Sequence, residues 1–172
     1  MLCIFQSRLI KSFKRMVKGL PSNRLQGLRA IVLTNTEGFN RKKRRKKTWS
    51  RQKKLSLTKC AGWYRPGIHG EQAEIEIIVD SIQNNYPTLM LRSRFLTDFI
   101  FSSVLFHEIG HHIHDTQEPE FINQEDAADK WQRKLNKKYF WKKYWYFLVL
   151  LVPISKVINR LRKRFNKIEK KS

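Results

Sequence analysis

Four of the five histidines in the chain lie between residues 107 and 114, in the stretch VLFHEIGHHIHD. His107 and His111 are four positions apart, so on a helix they project from one face, one turn apart. Two imidazoles placed in this way can each direct a ring nitrogen at one Zn²⁺ ion, about 2.0–2.1 Å away. Glu108 follows the first histidine and lies beside the metal rather than on it, where it can take a proton from a water molecule. These residues therefore predict a metal centre capable of hydrolysis.

The pattern His-Glu-x-x-His is the helix-borne motif of zinc metallopeptidases and predicts one zinc ion per chain. Gly110 lies inside the motif, although glycine costs a helix roughly 1 kcal/mol relative to alanine. We expect the close approach of another element to account for it. His112 points away from the ligand face, and His114 lies nearly one turn past His111. Surface or supporting positions therefore suit these two histidines better than metal ligation.

A catalytic zinc ion needs a third protein ligand and leaves the fourth position for water. The metzincin pattern would require Gly at position 114 and His at position 117, where this chain has His114 and Gln117. The gluzincin pattern requires a glutamate on a following helix and an acidic residue four positions later, and NQEDAADKW supplies Glu125 and Asp129. In that pattern Glu125 completes the ligand set. Asp129 accepts a hydrogen bond from the far nitrogen of a ligand histidine and fixes its tautomer.

The two motifs together resemble the gluzincin clan of zinc peptidases, in the minimal form of the ImmA/IrrE peptidases. Those proteins similarly carry HExGH and then a run of the form E-x-x-A-N/D-x-F/W. The matching residues here are Glu125, Ala128, Asp129 and Trp131. The ImmA/IrrE pattern often has a further histidine, at a position where this chain has Asp115. The resemblance is therefore to the clan rather than to that family in every detail.

This resemblance covers about residues 60–136 and implies a small α+β fold. A small twisted sheet would pack on the HExxH zinc helix and on a following helix that carries Glu125, as in a minimal gluzincin. It also implies that the strand AEIEIIV is the sheet edge to which an extended substrate adds.

The hydrophobic pattern around the motif predicts the same elements. Leu96, Ile100 and Val104 are four apart, which favours a mostly buried helix around the motif. A second helix is expected to begin near Asn123, whose side chain can cap it. Before the motif, four apolar residues alternate with acidic ones: Ala73, Ile75, Ile77 and Val79 against Glu74, Glu76 and Asp80. That alternation predicts a half-buried strand at a sheet edge, with its charges facing water.

The net charge of +22 is unevenly distributed along the chain. Residues 1–60 carry 18 basic side chains and one acidic side chain. Residues 61–138 carry eight basic and 12 acidic side chains, and residues 139–172 carry ten basic side chains and one acidic side chain. We therefore divide the chain into three parts. These are a basic amphipathic N-terminal segment at 1–27, a zinc metallopeptidase domain at 28–138 with an exposed basic loop at 38–57, and an aromatic, apolar and basic C-terminal segment at 139–172.

The basic ends predict binding to polyanions, either nucleic acid or an anionic membrane surface. The unbroken apolar stretch at 144–154 has 11 residues, and a spanning helix needs about 20. Aromatic residues beside a basic tail favour attachment to the surface of an anionic membrane, and packing as a core helix is the open alternative. Nucleic-acid binding by Arg41–Lys54 is less favoured, because no recognised reader fold accompanies it.

The chain is thus interpreted as a zinc-dependent metallopeptidase acting on a protein or peptide substrate through a zinc-activated water, with Glu108 as general base. The alternative is a basic nucleic-acid- or membrane-binding scaffold whose zinc site is structural or vestigial. Glu108 favours the enzyme, because a structural site has no use for a carboxylate beside an open coordination position. Structural roles suit Tyr64 and His69 better than oxyanion binding. With no disulfide expected, we predict a cytoplasmic protein, and peripheral attachment at the inner face of a membrane stays open.

Overall fold

The computed structural model describes residues 2–50, 53–67, 71–117 and 123–169. These residues form an α+β fold of helices α1–α6 and strands β1–β5. In chain order they are α1 (Leu2–Lys18), β1 (Leu28–Thr34), α2 (Arg41–Arg45), β2 (Lys47–Ser50), β3 (Lys53–Ser56), β4 (Gly62–Arg65), β5 (Ala73–Ile78), α3 (Val79–Asn84), α4 (Thr88–Arg92), α5 (Arg94–Thr116) and α6 (Gln124–Glu169). Short 3-10 turns lie at Ser22–Leu25, Thr36–Gly38 and Leu57–Lys59.

The chain divides into two compact units, Met1–Asn136 and Lys137–Ser172. The N-terminal basic helix α1 therefore belongs to the same unit as the sheet and the histidine motif. The second unit is helical and is interrupted at Tyr144, whose backbone is not helical (φ −124°, ψ 20°). Among the side chains of this unit that the structure describes, the exposed large hydrophobic ones are Trp141, Trp145, Tyr146 and Val149. Among the described helices, none offers an apolar stretch long enough to cross a membrane.

Strand β5 is the central strand of the three-stranded sheet, whose order is β1-β5-β4. It runs parallel to β1 and antiparallel to β4, so the prediction that it forms the sheet edge is wrong. The acidic residues that suggested a water-facing edge are paired instead. Glu74 is 8% exposed and accepts hydrogen bonds from Arg29, at 2.6 Å, and from Arg65. Glu76 lies 2.6 Å from the Lys43 ammonium group.

Helix α5 lies at the centre of the first unit, in contact with β4, β5, α4 and α1. Its fully buried apolar side chains are Phe101, Leu105, Phe106, Ile109 and Ile113. On α1, Leu9, Phe13 and Met16 are buried while the lysines between them are exposed. The rings of Phe13 and Phe101 meet edge to face, with centroids 5.7 Å apart. The amphipathic N-terminal segment thus forms a helix whose apolar face covers the histidine-bearing helix.

The basic stretch predicted to be an exposed loop at 38–57 contains regular structure. Helix α2 is capped by Asn40, whose side-chain oxygen accepts a hydrogen bond from the Lys43 backbone N–H at 2.8 Å. Strands β2 and β3 then pair as an antiparallel ribbon. Buried Phe39, Leu57 and Ile78 pack together and anchor this segment to the sheet. The prediction of a loop is therefore wrong, because a few apolar residues between the charges suffice to dock the segment. The exposure of most of its charges agrees with the prediction.

Candidate metal centre

Helix α5 places His107 and His111 on one face, as their spacing requires. Ser93 caps the helix by accepting a hydrogen bond from the Leu96 backbone N–H, and the helix then runs without interruption to Thr116. The two imidazole rings are perpendicular, with centroids 4.8 Å apart. Both side chains are largely buried yet line an open cleft of about 870 Å³. A rigid helix therefore presents two neighbouring nitrogen donors to the same space.

Glu125 enters this space from the first turn of α6. That turn begins as predicted at Asn123, whose side-chain oxygen accepts a hydrogen bond from the Glu125 backbone N–H at 3.1 Å. Glu125 Oε2 lies 3.4 Å from His107 Nε2, and its Oε1 lies 4.0 Å from His111 Nε2. Ligand atoms of the three residues all lie within 4.8 Å of one another. This group can therefore hold a metal ion.

The chemistry of the donor set and the shortest of its separations fit a zinc ion. Ligands at about 2.0–2.1 Å in a tetrahedron lie roughly 3.4 Å from each other, close to the shortest separation between Glu125 and His107. Glu125 Oε2 is buried and accepts no hydrogen bond from any described residue. Such an oxygen is costly to leave unsatisfied, and a cation held by the three residues would satisfy it.

Asp129 lies one helical turn after Glu125 and reaches the opposite side of His107. Its Oδ1 is 3.0 Å from His107 Nδ1, whereas Glu125 lies near Nε2 of the same ring. A proton on Nδ1 donated to this carboxylate leaves the Nε2 lone pair directed at the metal position. The carboxylate also makes the imidazole a stronger donor. Asp129 therefore stands where a residue that orients a ligand histidine should be.

The contact between α5 and α6 depends on Gly110. A Cβ atom at this position would lie 2.7 Å from the carbonyl oxygen of Ala128 and 2.8 Å from its Cα. Both atoms belong to the backbone, so neither can swing aside. The absent side chain allows α6 to approach closely, between the positions of Glu125 and Asp129. The close approach expected from the glycine in the motif is therefore present.

Glu108 is 7% exposed and lies against strand β4. A Cβ atom at Gly62 would lie only 2.7 Å from Glu108 Oε1, so this glycine makes room for the carboxylate. The backbone N–H of Tyr64 donates a hydrogen bond to Glu108. Burial raises the pKa of Glu108 to about 8; the hydrogen bond from Tyr64 opposes this shift and the charge of Glu125 adds to it. The carboxylate is therefore held in place but is destabilised in its ionised form while no cation neutralises it.

His111 is kept neutral by its surroundings. Burial lowers its pKa to about 4, the nearby imidazoles of His107 and His114 act in the same direction, and Asp129 opposes them. A neutral imidazole is the form that binds a metal ion. The ring also stacks on Tyr64, with centroids 6.4 Å apart and planes 10° apart.

Tyr64 connects the edge strand to the far end of α5. Its hydroxyl group donates a hydrogen bond to Asp115 at 3.3 Å. Burial, and then the charge of Asp115, raises the pKa of the Tyr64 phenol above its usual value. With its ring on His111 and its backbone N–H on Glu108, Tyr64 supports two of the predicted site residues. Neither Gly62 nor this role of Tyr64 could be singled out from the sequence, because both depend on strand β4 packing against α5.

The other histidines lie outside the ligand group. His112 is fully buried, and its Nε2 lies 3.0 Å from the carbonyl oxygen of Gln26. Burial lowers the pKa of His112. His114 is also buried, so neither residue occupies the surface position suggested for it, and the alternative of a supporting role remains. His69 lies outside the described residues.

Comparisons with protein-family models, with curated proteins and with solved structures found no match to this chain. The candidate site is therefore characterised by its own geometry. That geometry comprises a His107, His111 and Glu125 group able to hold a metal ion, with Glu108 and Asp129 beside it.

Proposed function

We propose that this protein is a zinc-dependent metallopeptidase of gluzincin type that hydrolyses peptide bonds with Glu108 as general base. The observation that carries the proposal is the convergence of two histidines and a glutamate at the side of an open cleft that Glu108 also lines. Two histidines and one glutamate are a known ligand set of catalytic zinc, and three protein ligands leave a fourth position for chemistry.

The site residues have different roles in the proposed reaction. When bound by His107, His111 and Glu125, zinc supplies a Lewis acid that lowers the pKa of water toward neutrality and polarises a carbonyl group. Glu108 accepts a proton from the attacking water and then delivers it to the leaving amine. To accept that proton it must be ionised, and a nearby dication favours this form. Burial raises the pKa of Glu108, but the hydrogen bond from the Tyr64 N–H lowers it and so also favours the ionised form.

The substrate is expected to lie beside β4. This strand forms the edge of the sheet, and its residues line the cleft together with the histidines of α5. An extended polypeptide in the cleft would therefore follow β4 rather than β5, which is enclosed between two strands. Main-chain contacts of this kind tolerate many side chains, so selectivity must come from other walls of the cleft.

The test is a Glu108→Gln variant, which keeps the shape of the side chain but cannot act as a base. We expect zinc to be retained and hydrolysis to fall by roughly 10²–10⁴-fold. Peptides cleaved from a whole-proteome digest by the wild type, and not by the variant, would identify substrates. Unchanged cleavage by Glu108→Gln would show that the activity does not use this residue, and full activity after removal of zinc would exclude the metal mechanism.

Peripheral attachment to a membrane is a second, compatible proposal. The second unit exposes Trp141, Trp145 and Tyr146 beside Lys142, and indole and phenol rings favour the interface of a bilayer. Flotation of the full chain with vesicles containing phosphatidylserine tests it. Replacement of Trp141 and Trp145 by alanine should abolish flotation if the proposal holds, and unchanged flotation would exclude these aromatic residues as the anchor.

A further inference from the structure

One segment that borders the metal cleft carries a dense positive charge. We call residues 41–50 and 53–59 the basic hairpin, since they comprise α2, the ribbon of β2 and β3, and the turn that follows. The described part of the hairpin contains no acidic residue. Its exposed cations are Arg41, Lys42, Arg44, Arg45, Lys46, Lys47, Lys54 and Lys59.

These cations are not neutralised within the part of the chain that the structure describes. Only Lys43 in the hairpin has a carboxylate within salt-bridge distance there, that of Glu76. Arg44 donates hydrogen bonds to the backbone carbonyls of Glu37 and Phe39, which fixes its position without removing its charge. Like charges crowded on one surface repel one another. The hairpin therefore presents a surface that an anionic partner would stabilise.

The hairpin is a fixed wall of the metal cleft. Thr48, Leu55 and Lys59 line the same cleft as His107 and Glu108. The packing of Phe39 and Leu57 on Ile78 holds it against the sheet. In addition, the Lys46 ammonium group lies 4.2 Å from the centroid of the Trp63 ring, which also lines the cleft. A ligand bound along the hairpin thus continues directly into the metal centre.

Charges in the cleft favour a polypeptide over a nucleic acid. Asp115 lines the cleft beyond the hairpin and lies outside the proposed ligand group, so its charge is not taken up by the metal. A nucleic acid carries a negative charge on every nucleotide, so this carboxylate would repel its backbone where it entered the cleft. A polypeptide can place acidic residues on the hairpin and a neutral residue beside Asp115. The partly buried apolar side chains of Leu55 and Trp63, which also line the cleft, suit side chains of a polypeptide.

We propose that the basic hairpin selects polypeptides that carry a run of acidic residues next to the segment held in the metal cleft. This inference rests on the proposed peptidase function for its catalytic consequence, because the acidic run would then specify which bonds are cleaved. Its binding consequence is independent of hydrolysis. Exposed ion pairs are individually weak and are screened by salt, so selectivity arises from several of them together.

The experiment compares two peptides that differ only in charge. Each has the same neutral, apolar segment, followed by a short run of glutamates in one peptide and of glutamines in the other. Binding of the fluorescein-labelled peptides to the zinc-loaded full chain is measured by fluorescence anisotropy, with Glu108→Gln as the protein so that the peptides stay intact. We expect the glutamate peptide to bind roughly tenfold more tightly at low salt, as several exposed ion pairs would produce.

A matched pair of variants distinguishes the effect of the hairpin from the effect of positive charge elsewhere on the protein. The hairpin variant removes three exposed charges by Lys47→Gln, Lys54→Gln and Lys59→Gln. The control variant removes three from α1, by Lys11→Gln, Lys14→Gln and Lys18→Gln, of which the last two border a different groove. The hairpin variant should lose most of the tenfold preference, whereas the control variant should keep it. Equal losses in both, or a preference retained in the hairpin variant, would overturn the inference.

Two further measurements complete the test. Moving the glutamates away from the neutral segment with a flexible linker should weaken the preference, and an unchanged preference would mean that the hairpin is not a wall of the occupied cleft. A single-stranded or duplex oligonucleotide that binds more tightly than the glutamate peptide and displaces it would assign the surface to nucleic acid instead.

Cleavage of the same peptides by the wild-type chain distinguishes this inference from the proposed function. We expect the glutamate peptide to be cleaved faster, by roughly tenfold in kcat/KM, with the same dependence on the hairpin. That result would support both the inference about the hairpin and the proposed peptidase function. Hairpin-dependent binding without cleavage of any substrate would contradict the peptidase and leave the hairpin as a surface for acidic polypeptides. If both peptides bind equally well and are cleaved at equal rates, the inference about the hairpin would be excluded, while the proposed peptidase function would still hold.

Discussion

The candidate metal centre and the basic hairpin border the same cleft but are built in opposite ways. In the candidate metal centre each side chain is held by specific contacts. His107 lies between Glu125 and Asp129, and Glu108 fits against Gly62 with no room for a Cβ atom. In the hairpin most of the charged groups are exposed and have no carboxylate partner among the described residues.

This difference predicts two kinds of sensitivity to substitution. A ligand set works only when each atom occupies its position, so the loss of one group should have a large and specific effect. A charged surface acts through the sum of its charges, so single replacements should have small effects that accumulate. Substitutions in the two regions can therefore establish whether the contrast is real.

The largest effect is expected from His111→Ala. This substitution removes one of three ligand groups while leaving the rest of α5 in place, so near-stoichiometric zinc should be lost on purification. In the wild type, saturating zinc should raise the melting temperature, because a ligand at about 100 times its Kd stabilises a fold by about 2.7 kcal/mol. Elemental analysis and thermal melts with and without zinc measure both. Full retention of zinc by His111→Ala would contradict the proposed ligand set.

Asp129→Asn should have the next largest effect. The shape is kept, but the negative charge beside His107 Nδ1 is lost, and losses of this kind typically weaken metal binding or activity about 10–100-fold. Asp126→Asn is the control, because Asp126 is exposed on the same turn and lies about 100° around the helix from Glu125. Competition with a zinc-binding dye measures both affinities. Equal affinities in the two variants would remove Asp129 from the site.

Gly110→Ala tests the helix contact on which the site depends. Alanine is the better helix former by roughly 1 kcal/mol, but its Cβ would press on the backbone of Ala128, and overpacking of this kind costs about 1–3 kcal/mol. We expect weaker zinc binding and a lower free energy of unfolding. Gly38→Ala is the control, since a Cβ there meets no atom within 4 Å. Stabilisation by Gly110→Ala, measured by urea denaturation, would show that α6 lies farther from α5.

The smallest effect is expected from single replacements in the hairpin. Lys47→Gln or Lys54→Gln should change the free energy of unfolding by no more than about 0.5 kcal/mol, as is usual for exposed sites. Zinc affinity should not change, because neither residue belongs to the ligand group. Urea denaturation and the zinc-binding dye measure the two quantities. A large loss of stability or of zinc affinity would mean that the hairpin contributes specific contacts. The contrast drawn with the candidate metal centre would then be wrong.

The candidate site residues on α5 could be predicted from the sequence, whereas those contributed by other elements could be predicted only in part. His107, Glu108 and His111 followed from their spacing, because positions four apart on any helix share a face. Glu125 and Asp129 were assigned by resemblance to a known pattern, and their meeting with α5 is a tertiary contact. Gly62 and Tyr64 gave no comparable signal, since a strand must pack on the helix before either has a role.

Local sequence was enough to predict the histidine-bearing helix, its apolar burial, the cap of the next helix and the uneven charge. Each of these follows from periodicity or composition within a short stretch of chain. The central position of β5 and the docking of the basic hairpin at the cleft depend instead on packing between distant parts of the chain. The alternation in β5 reports which side chains share a face, but not which strands flank it. Glu74 is buried because Arg29, 45 positions away, and Arg65 neutralise it, and no local pattern contains that partnership.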